Sequence, residues 1–141
     1  MSMVEKTGGA RRVAVLGDGA WGTALALVLR GNGHRTVLWG PFPEYLAAMR
    51  ARRENFRFLP GVSLPEDLQL ESDLATAVTG AELLVLAAPS QYLRGTLERL
   101  RPHLDRQGHC LVNVAKGIEA DSWLRMSEVC AAVLGPCRYV V

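Results

Sequence analysis

Val13-Ala-Val-Leu-Gly17-Asp-Gly19-Ala-Trp-Gly22-Thr-Ala-Leu-Ala-Leu27 reads as a buried strand, a glycine turn and a helix. The glycines stand in G-x-G-x-x-G register. Each answers a separate physical demand. Gly17 permits the tight turn off the strand, Gly19 lets the backbone approach phosphates without a Cβ in the way, and Gly22 lets the helix pack closely. The free N–H groups at the helix start, with the positive end of the helix dipole, favour an anion. A strand before and a helix after are the context in which this spacing marks a dinucleotide pyrophosphate site. The competing reading is a glycine-rich turn used only for packing.

Outward from this turn the chain alternates strand and helix. The spacing predicts a strand over Arg12–Gly17 and a helix over Ala20–Arg30 with Leu25, Val28 and Leu29 inward, stopped at Gly31-Asn-Gly33. A second strand is expected over His34–Trp39, broken by Gly40-Pro-Phe-Pro43, with a helix from Glu44 burying Tyr45, Leu46 and Met49. Phe56–Glu66 reads as irregular, and Leu68–Leu70 as a short strand. Asp73 is placed to cap a helix over Leu74–Val78. Glu82–Ala88 carries an unbroken apolar run, as expected of a strand buried on both faces. Ser90 is the expected N-cap of a helix reaching Leu100. His109–Val114 is a further strand, Ser122–Leu134 a helix with Leu124, Val129 and Val133 inward, and Arg138–Val141 a last strand. Such units imply an α/β fold: a doubly wound, mostly parallel, Rossmann-like sheet. The dinucleotide-binding domain is expected over residues 11–141, after a disordered polar lead at 1–10. A strand starting so near the last residue suggests the front portion of a longer protein.

Composition excludes several classes. The chain has 141 residues, enough for one domain with a core, and a net charge of +2, too small to argue for nucleic acid or an anionic membrane surface. No apolar run reaches the roughly 18 residues of a membrane span. Cys110, Cys130 and Cys137 make no C-x-x-C pair and sit among apolar residues, as small hydrophobes do in a reducing cytosol. His34, His103 and His109 are not spaced for a metal, so no metal site is expected.

Ligands in such folds bind beyond the carboxyl ends of the strands. Those positions hold Gly17–Trp21, Trp39–Phe42, Pro89–Tyr92 and Ala115–Glu119. Lys116 is a cation with an adjacent glycine at a strand end. It is suited to hold a phosphate or a carbonyl oxygen as a point charge; the alternative is a solvated loop lysine. Trp21 either covers a cofactor or packs beneath it. The acid that usually meets the ribose 2′-hydroxyl, about 20 residues beyond the glycines, is missing: Val37-Leu-Trp-Gly-Pro41 offers none before Glu44. This leaves NAD and NADP undivided. Arg50, Arg52, Arg53 and Arg57 are candidates for a 2′-phosphate, or else a solvated basic helix end.

Gly17-Asp-Gly-Ala-Trp-Gly-Thr-Ala-Leu-Ala26, Gly31-Asn-Gly-His34, Phe58-Leu-Pro-Gly61, Leu70-Glu-Ser-Asp-Leu74, Ala88-Pro-Ser-Gln91 and Asn113-Val-Ala-Lys-Gly-Ile-Glu119 together resemble the NAD(P)-dependent glycerol-3-phosphate dehydrogenases of bacteria, in order and spacing. The resemblance implies interconversion of glycerol 3-phosphate and dihydroxyacetone phosphate with NAD or NADP, in glycerophospholipid synthesis in the cytoplasm. It implies cofactor contacts at Gly17, Gly19, Ala20, Trp21, Gly22, Pro41 and Pro89, an aromatic beside the nicotinamide at Tyr92, and Lys116 where substrate and nicotinamide meet. The family's general acid/base lysine and most phosphate ligands lie in a downstream helical domain, so the resemblance covers the cofactor half and implies a homodimer for the full-length protein. Pro41 departs from the basic or polar residue common there. Two rivals stand beside this reading: another β-hydroxyacid-type NAD(P) dehydrogenase, and a non-catalytic NAD(P)-sensing module.

Overall fold

The computed structural model describes residues 9–141; of the expected lead, residues 1–8 lie outside the described residues. Strands β1 (Arg12–Leu16), β2 (Arg35–Trp39), β5 (Gln69–Glu71), β6 (Leu83–Leu86), β7 (Cys110–Asn113) and β8 (Arg138–Val140) form one sheet. Its order is β5-β2-β1-β6-β7-β8, and every pairing is parallel. The chain starts at the centre, walks out to β5, then returns to the other side of β1. The order therefore reverses between β1 and β6, the switch point where such folds open a crevice. A separate antiparallel hairpin, β3 (Glu54–Asn55) and β4 (Leu59–Ser63), stands off the sheet.

Helices α1 (Ala20–Gly31) and α2 (Pro43–Arg52) cover one face; α3 (Leu74–Val78), α4 (Ser90–Leu100) and α5 (Met126–Leu134) cover the other. Alternation along β1 shows why. Val13 and Val15 pack with Ala26, Leu46 and Met49, whereas Ala14 and Leu16 pack with Ala77, Leu97 and Val129. Two-sided burial accounts for the unbroken apolar strands.

Several local expectations change. Val28 is 59% exposed, and α1 buries Gly22, Thr23 and Ala26 instead. Small residues face inward because α1 lies close on the glycine loop. The stretch expected to be irregular, Phe56–Glu66, contains β4; its short pairing with β3 carries no alternating apolar pattern to betray it. Ser90 is the first helical residue of α4, and Pro89 takes the N-cap with no side-chain cap. Asp73 does cap α3, accepting from the Thr76 N–H at 2.8 Å. The last helix begins at Met126 rather than Ser122, because Asp121 and Trp123 hold left-handed backbone conformations (φ 66° and 60°) that cannot start a right-handed helix. Arg125 then takes the N-cap, its N–H donating to Glu128 Oε2 at 2.8 Å.

Candidate functional site

The three glycines of the first turn meet three different surroundings. Gly17 has φ +134°, and a Cβ there would lie 2.7 Å from the backbone of Ala87 and Ala88. A Cβ on Gly22 would lie 1.9 Å from the Gly17 carbonyl oxygen. Both positions are closed to any side chain, because the loop is pressed between α1 and the end of β6. Gly19 is the opposite case, with nothing within 4 Å of a built Cβ. It is the N-cap of α1, supplies no capping side chain, and leaves the first-turn N–H groups of α1 facing open space.

Beyond Gly19 lies a cleft of about 430 Å³. One wall is Gly19, Ala20 and Trp21; the floor is Ala87 and Ala88 after β6; the other wall is Pro89, Ser90 and the Val114–Lys116 segment. The strand ends are tied directly together: Ala87 N–H donates to Leu16 O at 2.9 Å, and Val114 N–H to Leu86 O at 3.1 Å. Alanines on the floor leave the volume that larger residues would fill. Trp21 is 57% exposed and lines the cleft rather than the core.

Lys116 is exposed, and its ammonium makes no ion pair among the described residues. Its loop is nonetheless built. The Asn113 side chain, buried at the end of β7, accepts from Ala115 N–H at 3.0 Å and donates to Ala115 O at 3.3 Å. Gly117 has φ +131° and lies against Ser90, whose Oγ would stand 3.0 Å from a Cβ there. Glu119 takes two bonds of 2.8 Å from the Arg94 guanidinium of α4. These bonds and one from Ser122 hold its carboxyl at about 2, well below the usual range.

The cleft thus gathers Gly19, Ala20, Trp21, Pro89 and Lys116, with Gly17 and Gly22 directly behind. Pro41 is half-buried and Tyr92 is exposed at the first turn of α4; neither lines the cleft. Trp39, expected at the ligand edge, turns into the core and donates from Nε1 to Ser72 O at 3.0 Å. The candidate basic group is largely occupied. Arg50 donates to Leu70 O at 2.6 Å, and Arg53 donates to Leu64 O and Pro65 O. Arg52 lies over the Phe56 ring, and Arg57 near the Tyr45 and Phe58 rings.

Asn55 is a residue that spacing did not reveal. It is fully buried and donates from Nδ2 to Asp18 O at 2.8 Å and to Thr23 Oγ1 at 2.7 Å, while its Oδ1 accepts from the Tyr45 hydroxyl and the Phe58 N–H. The hairpin is thereby bolted to the glycine loop. No signal marks it in sequence, since its partners lie up to 37 positions away.

His109 is a structural staple, its Nδ1 accepting from Asp105 N–H at 3.0 Å and its Nε2 3.2 Å from Val78 O. The three cysteines are free thiols, and burial pushes Cys130 up to about 11. Among the described residues no group of three metal-ligating side chains occurs, and no helix is long and apolar enough to cross a membrane.

Sheet order, glycine loop and cleft define a doubly wound dinucleotide-binding domain. The residues fit such a cofactor: the position that must admit phosphates is the glycine with open space, and helix N–H groups without intrahelical partners face it. Residues 12–141 match the family model described as NAD-dependent glycerol-3-phosphate dehydrogenase N-terminus, and the chain belongs to that family. A relative from Syntrophomonas wolfei, named glycerol-3-phosphate dehydrogenase (NAD(P)+), is 46% identical over 124 residues, which cover 88% of this chain and 36% of the relative. The crystal structure of glycerol-3-phosphate dehydrogenase from Coxiella burnetii is 33% identical with a TM-score of 0.82, over 90% of this chain and 38% of that one. The corresponding enzyme structure from Saccharomyces cerevisiae is 25% identical with a TM-score of 0.77, over 90% and 40%. The chain spans somewhat more than a third of the length of these relatives.

Proposed function

We propose that residues 11–141 hold the nicotinamide cofactor of an enzyme interconverting sn-glycerol 3-phosphate and dihydroxyacetone phosphate. The observation that carries this reading is the cleft that sets the α1 N-terminus, at Gly19–Trp21, across from Lys116. The pyrophosphate lies against Gly19 and the first-turn N–H groups. The dinucleotide then follows the switch point, and its nicotinamide end reaches the Pro89 and Lys116 side. The cofactor supplies the hydride. Lys116 contributes a fixed positive charge where an anionic or carbonyl-bearing substrate meets the ring, which stabilises charge developing on the substrate oxygen. Arg94 and Glu119 hold that loop in place.

In this reading the proton donor and most phosphate ligands come from a helical domain outside residues 11–141. The full-length protein then acts in the cytoplasm as a homodimer, a role supported by the family likeness. Membership of the family favours this over another hydroxyacid dehydrogenase or a cofactor sensor.

The test has two parts. The 141-residue chain titrated with NADH shows saturable fluorescence change and no turnover of dihydroxyacetone phosphate. A chain extended to the length of the relatives turns it over, and Lys116→Ala in that protein lowers kcat/KM by about 100-fold or more. Turnover by the 141-residue chain alone, or an unaffected Lys116→Ala enzyme, overturns the proposal.

A further inference from the structure

Asp18 does not line the cleft, yet it is held in a costly state. The residue is only 9% exposed, and its Oδ2 is buried with no hydrogen-bond partner among the described residues. An ionised carboxylate in that condition costs free energy, and such a group calls for a structural or functional reason.

Its position tells which ligand. A Cβ built on Gly40 would lie 2.1 Å from Asp18 Oδ2 and 2.5 Å from its Cγ. The Asp18 carboxyl therefore fills the volume of a side chain at residue 40. Residue 40 immediately follows β2, where doubly wound dinucleotide folds place the acid that binds the adenosine ribose 2′-hydroxyl. Here β2 runs into Trp39-Gly40-Pro41-Phe42 and carries no acid. Glycine at 40 makes the room, and Asn55 holds the backbone carbonyl of Asp18 at 2.8 Å. We propose that Asp18 supplies, from the glycine loop, the ribose-binding carboxylate that β2 lacks, and so makes this site selective for NAD(H) over NADP(H). A 2′-phosphate would bring roughly two negative charges against that carboxylate. The arginines that follow β2 and could receive it are engaged elsewhere: Arg50 and Arg53 on carbonyl oxygens of Leu64, Pro65 and Leu70, Arg52 over Phe56, and Arg57 near Tyr45 and Phe58. This inference rests on the cofactor reading given above and assigns the specificity of the same site.

The test is direct titration of the 141-residue chain with NADH and with NADPH at one ionic strength, with circular dichroism to confirm folding of each variant. The native chain binds NADH at least about tenfold more tightly than NADPH, the scale of a hydrogen bond to a charged group. Asp18→Asn brings the two within about threefold, mainly by weakening NADH. Gly40→Ala keeps the carboxylate in the chain but displaces it, and narrows the same ratio should Asp18→Asn fail to fold. Equal affinity in the native chain, or an unchanged ratio in the folded variants, overturns the assignment while the cofactor reading stands. Saturable binding of neither dinucleotide overturns both.

Discussion

Arg94 on α4 grips the carboxylate of Glu119 through two parallel bonds of 2.8 Å, across 25 residues of sequence. The fork fastens the loop that presents Lys116 to the helix whose first residue, Ser90, lines the same cleft. It acts on position, since neither Arg94 nor Glu119 lines the cleft. Arg94→Ala is expected to leave the fold intact and to weaken NADH binding by about three- to tenfold, the scale of a lost positioning contact. Fluorescence titration beside a thermal melt checks this; an unchanged affinity would show that the loop holds its own shape.

The same pair makes an acid-limb prediction. Glu119 is held at about 2 in the folded chain against an ordinary value of 4.5. Its contribution to stability is fully present above about 4.5 and is lost as pH falls toward about 2, where the folded carboxylate is finally protonated. Urea midpoints of the native chain should therefore fall more steeply over that window than those of Glu119→Gln. Parallel curves would refute the assignment.

Asp18 has the opposite sign. Burial raises its carboxyl above the usual value of 3.8, so the cofactor-free fold loses stability as pH rises through the raised value. Asp18→Asn is expected to stabilise the cofactor-free chain by about 1 kcal/mol at neutral pH, an advantage that vanishes in acid. Denaturant unfolding over a pH series, starting below the ordinary carboxyl value of 3.8 and rising from there, measures both. A gain in stability alongside a loss of NADH affinity is what a residue kept for its ligand should show.

The glycines separate stability from binding. Gly22→Ala forces a Cβ to within 1.9 Å of the Gly17 carbonyl oxygen and should cost about 3 kcal/mol through a shift of α1. Gly19→Ala meets open space and should cost under about 1 kcal/mol. Yet it should weaken NADH binding by about tenfold or more, because its methyl stands where the phosphates come closest. Similar stability losses in the two variants would sink this division.

Asn55→Ala removes a fully buried amide that satisfies the hairpin, Thr23 and the Asp18 carbonyl at once. Stranding those partners should cost about 3 kcal/mol. Asn55→Asp, which presents no amide donors to the Asp18 carbonyl and Thr23, should recover little of it. Chemical denaturation of both variants decides.

Much of this molecule was legible in its chain. The alternation of apolar runs with glycine and proline stops set out the order of strands and helices, because periodicity and backbone conformational demands are local. Gly17 and Gly22 were legible for the same reason: only glycine fits the close contacts at those offsets. Lys116 was visible as a cation at a strand end. The hairpin at Glu54–Ser63 and the late start of α5 were not, since one depends on a short pairing without a pattern and the other on left-handed residues that no propensity predicts.

What the tertiary structure alone decided is which residues share a space. Asp18 stands in the volume of a Gly40 side chain, Asn55 reaches back to the glycine loop, and Arg94 and Glu119 meet behind the cleft. These depend on the register of parallel strands, which brings loops tens of residues apart to one edge. A sequence names the acid that is absent after β2. Only packing in three dimensions shows that another carboxylate occupies its place.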